Sequence, residues 1–274
     1  MIELRNINKF YGKNQVLKGI NLSIKKGYPL AIVGHNGAGK STILKIILSI
    51  LKAENGEVSL PDCIDRIGYL PEERGVYRNE TVLTHLKYFS ELSGLKLSNK
   101  DLDNYLAKFE ILKYKDFKLK DLSKGNAQKL QLALCFLGNP DLLILDEPFS
   151  GLDPLNRKVL SNILKEGSSS RYTIFSSHQM EQIERYCSDI LILKNGEVRY
   201  FGSIEDLKAS HMAKKKLAIS YRDESGKKIY EKLAIDSSLD KWLIDNGVNN
   251  IINLSYGYPS LEEIYFDIMK GDGV

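Results

Sequence analysis

Few folds can accommodate the segment Gly34-His35-Asn36-Gly37-Ala38-Gly39-Lys40-Ser41-Thr42. It follows the apolar run Leu30-Ala31-Ile32-Val33 and precedes Ile43-Leu44-Lys45-Ile46-Ile47-Leu48, whose apolar spacing is helical. Strand, glycine-rich turn and helix in that order bring backbone N–H groups together at a helix start, where the positive dipole end and unpaired donors attract anions. In the pattern G-x-x-x-x-G-K-[ST] the lysine, here Lys40, reaches the β- and γ-phosphates of a nucleotide, and the hydroxyl, here Ser41, ligates Mg²⁺. Asn36, Gly37, Ala38, Gly39 and Thr42 complete the candidate phosphate-binding set.

A chain of 274 residues is long enough for one large domain and a small one. With 43% hydrophobic and 27% charged residues of both signs, its composition is that of a soluble globular protein. The net charge of +4 is mild, and the densest basic run, Lys214-Lys215-Lys216, reads as a solvated edge, so nucleic acid is not an expected partner. Cys63, Cys135 and Cys187 are odd in number and lack C-x-x-C spacing, which argues against a disulfide framework or zinc site and fits a reducing compartment. Met1-Ile2-Glu3-Leu4-Arg5 lacks the basic flank and apolar stretch of a secretory signal. No apolar run approaches the roughly 18–20 residues that span a bilayer, so a membrane role requires a partner.

Along residues 1 to about 30, alternating apolar positions and glycine turns predict short antiparallel strands at Ile2–Arg5, Tyr11–Asn14, Val16–Ile20 and Leu22–Ile24. A further strand pair is expected in residues 57–70, around Pro61-Asp62, and helical periodicity runs from Val82 to Leu137. Leu142-Leu143-Ile144-Leu145, Tyr172-Thr173-Ile174-Phe175 and Ile190-Leu191-Ile192-Leu193 read as buried strands, with a helix at Met180–Tyr186 between the last two. This is the pattern of a parallel α/β core. Beyond Phe201-Gly202-Ser203 a hairpin (Leu217–Tyr221 and Lys228–Leu233), a helix near Trp242 and another at Leu261–Met269 predict a small α+β domain over 206–274.

A phosphate loop alone establishes only nucleotide binding, and the reaction needs a second half-site. Asp146 ends a buried strand and is placed to hold Mg²⁺ opposite Ser41, while Glu147, next in sequence, is placed to orient and deprotonate an attacking water. Leu122-Ser123-Lys124-Gly125-Asn126, ahead of the helical Gln128–Ala133, offers a hydroxyl, a glycine N–H and a helix N-terminus, which make a second anion site.

In this order the motifs resemble the ATP-binding subunit of an ABC (ATP-binding cassette) transporter: Tyr11, the Lys40 loop, Glu72 after a strand, the Ser123 signature, Asp146-Glu147, Ser150-Gly151-Leu152-Asp153, and His178 after Ser176-Ser177. The resemblance covers about residues 1–205 and implies a P-loop ATPase core. That core has a parallel sheet, an antiparallel β subdomain and a helical subdomain at about 80–140, followed by the α+β domain at 206–274. It further implies ATP and Mg²⁺ as cofactors, with Tyr11 stacking on adenine, Ser41, Glu72 and Asp146 on the metal side, Glu147 as general base, and Lys40 and His178 at the γ-phosphate. Two subunits, alike or different, would sandwich two ATPs between the Lys40 loop of one and Ser123, Gly125 and Asn126 of the other. A polytopic permease would be the membrane partner, with the subunit cytoplasmic and peripheral on the inner face. His35, His85 and His211 have no such context and read as surface or loop residues.

Three departures from the family pattern stand out. Glu72 occupies the usual Gln position in Leu70-Pro71-Glu72-Glu73-Arg74-Gly75, Lys124 and Asn126 replace a Gly and a Gln of the signature, and His35 replaces a common Pro. The Glu72 variant resembles the branch containing drug-resistance and sodium-efflux ATPases, which favours export. Ribosome-acting and DNA-repair relatives fit less well, since the former carry two cassettes and the latter a long coiled coil. A P-loop kinase has no use for Ser123 or His178.

Overall fold

The uniformly apolar runs become the centre of a six-stranded sheet, because a strand covered on both faces has no position that favours a polar side chain. Residues 1–72, 77–152, 154–211, 216–222, 228–234, 244 and 250–271 are described in the computed structural model of the chain. Its contacts divide into two compact units, Met1–Phe201 and Gly202–Val274.

In the first unit β3 (Leu30–Gly34), β6 (Leu142–Asp146) and β7 (Tyr172–Ser176) are buried at every residue. With β5 (Ile67–Leu70), β8 (Asp189–Lys194) and β9 (Glu197–Ser203) they form a sheet of order β5-β6-β7-β3-β8-β9. The β5–β6, β6–β7, β7–β3 and β3–β8 pairs are parallel. β3, first of these in sequence, lies inside the sheet, so the loops leaving its carboxyl end and that of β6 open on the same crevice, the usual ligand position in an open α/β sheet.

The N-terminal segment differs from the four short strands expected. It forms two long strands, β1 (Ile2–Tyr11) and β2 (Asn14–Ile24), joined at Gly12-Lys13. Asn6 and Gly19 have φ of 50° and 61°, and register shifts follow Leu4 and Ile7, so bulges interrupt the alternation that in sequence reads as strand ends. The expected pair within 57–70 is also corrected. β4 (Asn55–Ser59) pairs antiparallel with β1, whereas β5 joins β6 in the other sheet, so Pro61-Asp62 lies in a crossover between sheets.

Helix α1 (Lys40–Ile47) buries Ile43, Leu44, Ile46 and Ile47. These pack in one cluster with Ile2, Leu4, Leu17 and Ile20 of the antiparallel sheet and Leu30, Ile32, Ile144 and Ile174 of the parallel sheet. Burying each such side chain contributes about 1.5–3 kcal/mol, so the helix that starts at the phosphate loop is fixed by both sheets. The helical stretch contains α2 (Val82–Leu92), α3 (Asn99–Lys108) and α4 (Lys124–Phe136); α5 (Pro154–Lys165) and α6 (Met180–Tyr186) follow. Thr81 caps α2 by accepting the Thr84 N–H, and Ser98 with Asp101 forms a reciprocal capping box on α3.

The second unit holds α7 (Ile204–Ser210), a three-stranded antiparallel sheet of order β11-β10-β12 and α8 (Leu261–Lys270). β10 (Lys216–Arg222) and β11 (Lys228–Ala234) are the expected hairpin. β12 (Asn250–Gly257) was not anticipated, since Asn249-Asn250 and Asn253 break its apolar pattern. The helix expected near Trp242 falls outside the described residues, as do Lys214 and Lys215.

β5 meets α4 at Gly68, where an added Cβ would stand 2.1 Å from the Cys135 carbonyl oxygen. Gly68→Ala is expected to destabilise the chain by about 1–3 kcal/mol in urea unfolding, because the obstacle is helix backbone that cannot rotate aside. A loss below about 0.5 kcal/mol would show that strand and helix separate freely here.

Candidate active site

Gly39 caps α1 in the left-handed conformation, with φ 103°, and a Cβ there would stand 2.5 Å from Leu17 Cδ2. Only glycine meets both demands, so the phosphate loop is seated directly on β2. The Lys40 ammonium donates to the Gly34 carbonyl at 2.9 Å and the His35 carbonyl at 3.3 Å, which holds it over the loop. Ala38 is buried and its N–H donates to the His35 carbonyl at 3.1 Å, so its side chain packs inward.

A cavity of 510 Å³ opens above this loop. Asn36, Gly37, Gly39, Lys40, Ser41 and Thr42 line one side, Tyr11 another, and Glu72, Asp146 and Glu147 a third, so most of the residues singled out in sequence meet there. Tyr11 is 51% exposed, leaving a ring face for stacking, and Lys9 Nζ lies 5.7 Å from its centroid. Asn14 and Val16 also line the cavity. Sequence reading missed them, and their one signal was membership of the hairpin that bears Tyr11.

The carboxylates are placed by strand register. β6 and β7 pair Asp146 with Ser176, and the Ser176 hydroxyl donates to Asp146 Oδ1. The same Ser176 Oγ accepts the Glu147 N–H at 2.9 Å, which holds Glu147 at φ 50°, a left-handed turn unusual for a side chain of this size. Glu147 is thereby turned off the strand end into the cavity, with its side chain 12% exposed. His178 Nδ1 lies 3.1 Å from both Oε1 and Oε2 of Glu147, with the hydrogen bond directed to Oε1. The exposed His178 is absent from the cavity lining, so in this structure it bears on Glu147 directly. Ser176 was read in sequence only as a spacer before His178.

The oxygens of Ser41, Glu72 and Asp146 on one cavity form the hard donor set that suits Mg²⁺, and Asp146 is 2% exposed with only one oxygen engaged by Ser176. Burial, and then the Asp146 charge, push the Tyr69 phenol on the adjacent strand above its usual range. No cluster of three or more His, Cys, Asp or Glu forms a cation cage among the described residues; a Mg²⁺ site built largely from phosphate and water needs none.

Ser123 is exposed and caps α4, its Oγ accepting the Asn126 N–H at 3.3 Å. Ser123, Gly125 and Asn126 do not line the Lys40 cavity, so one chain keeps its two anion sites apart. The fully buried Gln128, unremarked in sequence, connects them: its Nε2 donates to the Pro148 carbonyl at 3.2 Å and the Ser150 carbonyl at 3.3 Å. The helix that starts at Ser123 is thus tied to the segment leaving Glu147. Asp153 lies outside the described residues. His85 is corrected: it is 2% exposed on α2, with Nδ1 2.7 Å from the Thr81 carbonyl, because the apolar face of α2 includes its position. His35 is exposed and bonded to Asn195, and His211 is partly buried at the end of α7.

The sequence matches the ABC transporter family over residues 17–150. It is 40% identical over 269 residues to the uncharacterized ABC transporter ATP-binding protein MJ1023 of Methanocaldococcus jannaschii, an alignment covering 97% of this chain and 98% of the relative. Among solved structures, the ATP-binding subunit of an ABC transporter aligns with TM-score 0.71 at 29% identity, over 77% of this chain and 92% of that one. The dimeric cassette MJ0796, in a post-hydrolysis state bound to ADP and Pi, aligns with TM-score 0.67 at 25% identity, over 74% and 99%. Motif order, strand register, cavity and likeness agree, and the chain belongs to the ATP-binding proteins of ABC transporters.

Proposed function

We propose that this ATP-binding subunit hydrolyses Mg²⁺-bound ATP as one half of a two-subunit ATPase and so drives export through a separate membrane-spanning partner. The observation that carries the chemistry is Glu147, whose carboxylate edges the phosphate cavity with both oxygens 3.1 Å from His178 Nδ1. Tyr11 offers its ring face to adenine, and Lys40 exchanges its loop carbonyls for β- and γ-phosphate oxygens. Ser41, Glu72 and Asp146 would hold Mg²⁺, which neutralises charge on the β/γ bridge. Glu147 takes the proton of the attacking water, and His178 fixes its carboxylate and reaches the γ-phosphate.

The separation of Ser123 from the Lys40 cavity supports pairing, since a second copy or a homologue supplies the missing anion site. Among the described residues no helix is long and apolar enough to cross a membrane, which supports a peripheral subunit on the cytoplasmic face of a permease. Glu72 supports the export branch, and we assign residues 206–274 an accessory role.

The partner's docking surface follows from a cavity of 310 Å³ lined by Tyr69, Leu70 and Pro71, which lead to Glu72, and by Phe89, Leu134 and Leu137. Beside it Tyr77, Tyr88 and Leu92 are 59%, 45% and 65% exposed, so a short amphipathic helix of the permease would find an apolar seat there. A ligand-dependent shift of the Glu72 loop would then change the partner's contacts.

Glu147→Gln is expected to keep ATP binding while lowering turnover about 10²-fold or more, measured as phosphate release at saturating ATP. A rate close to wild type would remove Glu147 from the role of base. Leu92→Glu is expected to leave the isolated subunit's ATPase rate unchanged and to abolish ATP-driven export in reconstituted vesicles. Normal export with the complex assembled would place the docking surface elsewhere.

A further inference from the structure

Tyr11 is the last residue of β1 and half exposed, so packing alone does little to fix its ring. Two positions earlier on the same strand, Lys9 is 8% exposed, and its ammonium lies over that ring, 5.7 Å from the centroid. Lys9 Nζ donates to Glu54 Oε1 and to the Lys52 carbonyl, each at 2.7 Å. The other oxygen of the same carboxylate, Glu54 Oε2, accepts the Phe10 N–H at 2.9 Å, and the Glu54 N–H donates to the Asn8 carbonyl at 3.0 Å. Hydrogen bonds from Lys9 first, and then from the Phe10 N–H, hold the Glu54 carboxyl below its usual range, which keeps the partner of Lys9 ionised.

A surface lysine is a strongly hydrated charge on a flexible stem. Lys9 is instead held at two oxygens and set against an aromatic face, within the roughly 6 Å reach of a cation–π contact. Tyr11 lines the nucleotide cavity and Lys9 does not, so an effect of the ammonium on a ligand passes through the ring. Lys52 and Glu54 lie in the segment that leads from α1, the helix of the phosphate loop, to β4. The clamp therefore ties the ring to the element that bears Lys40, and a ring held in one orientation lowers the ordering cost that a stacking base meets. We infer that Lys9 is a positioning residue for nucleotide binding, orienting the Tyr11 ring through the Lys9–Glu54 clamp, given the reading of Tyr11 as the residue that stacks on adenine.

Titration calorimetry of the full chain with Mg²⁺ and ADP, arranged as a double-mutant cycle, tests this. Tyr11→Ala is expected to weaken ADP binding about fivefold or more, the worth of one stacked base. Lys9→Met is expected to weaken it about threefold or more while Tyr11 is present. In the Tyr11→Ala background Lys9→Met should cost no further affinity, because the ammonium acts through the ring; a merely structural lysine would weaken both backgrounds alike. ATPase kinetics should show the matching split, with KM for ATP raised in Lys9→Met and kcat within about twofold of wild type. Glu54→Ala, at an exposed side chain, is expected to act in the same direction, and it decides if Lys9→Met fails to fold by circular dichroism. Equal weakening in both backgrounds would overturn the role of Lys9 alone, as would wild-type affinity in the deciding variant while Tyr11→Ala is impaired. Undiminished affinity in Tyr11→Ala would overturn the stacking reading, and the role of Lys9 with it.

Discussion

The pairing of Asp146 with Ser176 across β6 and β7 is the constraint on which the rest of the site depends. One hydroxyl donates to the buried Asp146 carboxylate and accepts the Glu147 N–H, so it compensates a charge that has left water and closes a left-handed turn in one step. Without that turn Glu147 would continue β6, and its carboxylate would not reach the crevice. The parallel sheet therefore does more than support the loops: its register places a metal-side carboxylate and a catalytic carboxylate on consecutive residues with different surroundings.

The phosphate loop depends on packing from the other side. Leu17 of β2 lies against Gly39, and the core shared by both sheets fixes α1. The hairpin that carries Tyr11 and the loop that carries Lys40 thus rest on one shared core, with the cavity between them.

The buried strands and the phosphate loop were legible in the sequence because their signals are local: apolar runs of four, and a fixed glycine spacing. Leu142–Leu145 could be read without knowing its neighbours. The bulged hairpin was not, because left-handed residues at Asn6 and Gly19 reset the alternation that marks a strand. The assignment of β4 and β5 to different sheets depends on partners far along the chain, which residues 57–70 do not encode by themselves. In the site, the charged and glycine residues announced themselves by chemistry, whereas Ser176 and Gln128 act by position. A serine before a histidine and a glutamine in a helix carry no distinguishing pattern, and only register and burial show their roles. His85 was misread for the opposite reason: a polar side chain buried on a helix looks like any surface histidine until its helix face is known.

Gln128 also sets a numerical limit. The segment after Glu147 and the helix behind Ser123 communicate there through two amide hydrogen bonds to carbonyls, each contributing about 0.5–1.5 kcal/mol net. Information passed through that joint cannot exceed the free energy of the bonds that transmit it. Together they allow about 1–3 kcal/mol, so an event at one anion site can alter affinity at the other by about 5- to 150-fold through this route. Any stronger cooperativity between the two halves of the subunit must travel by another path.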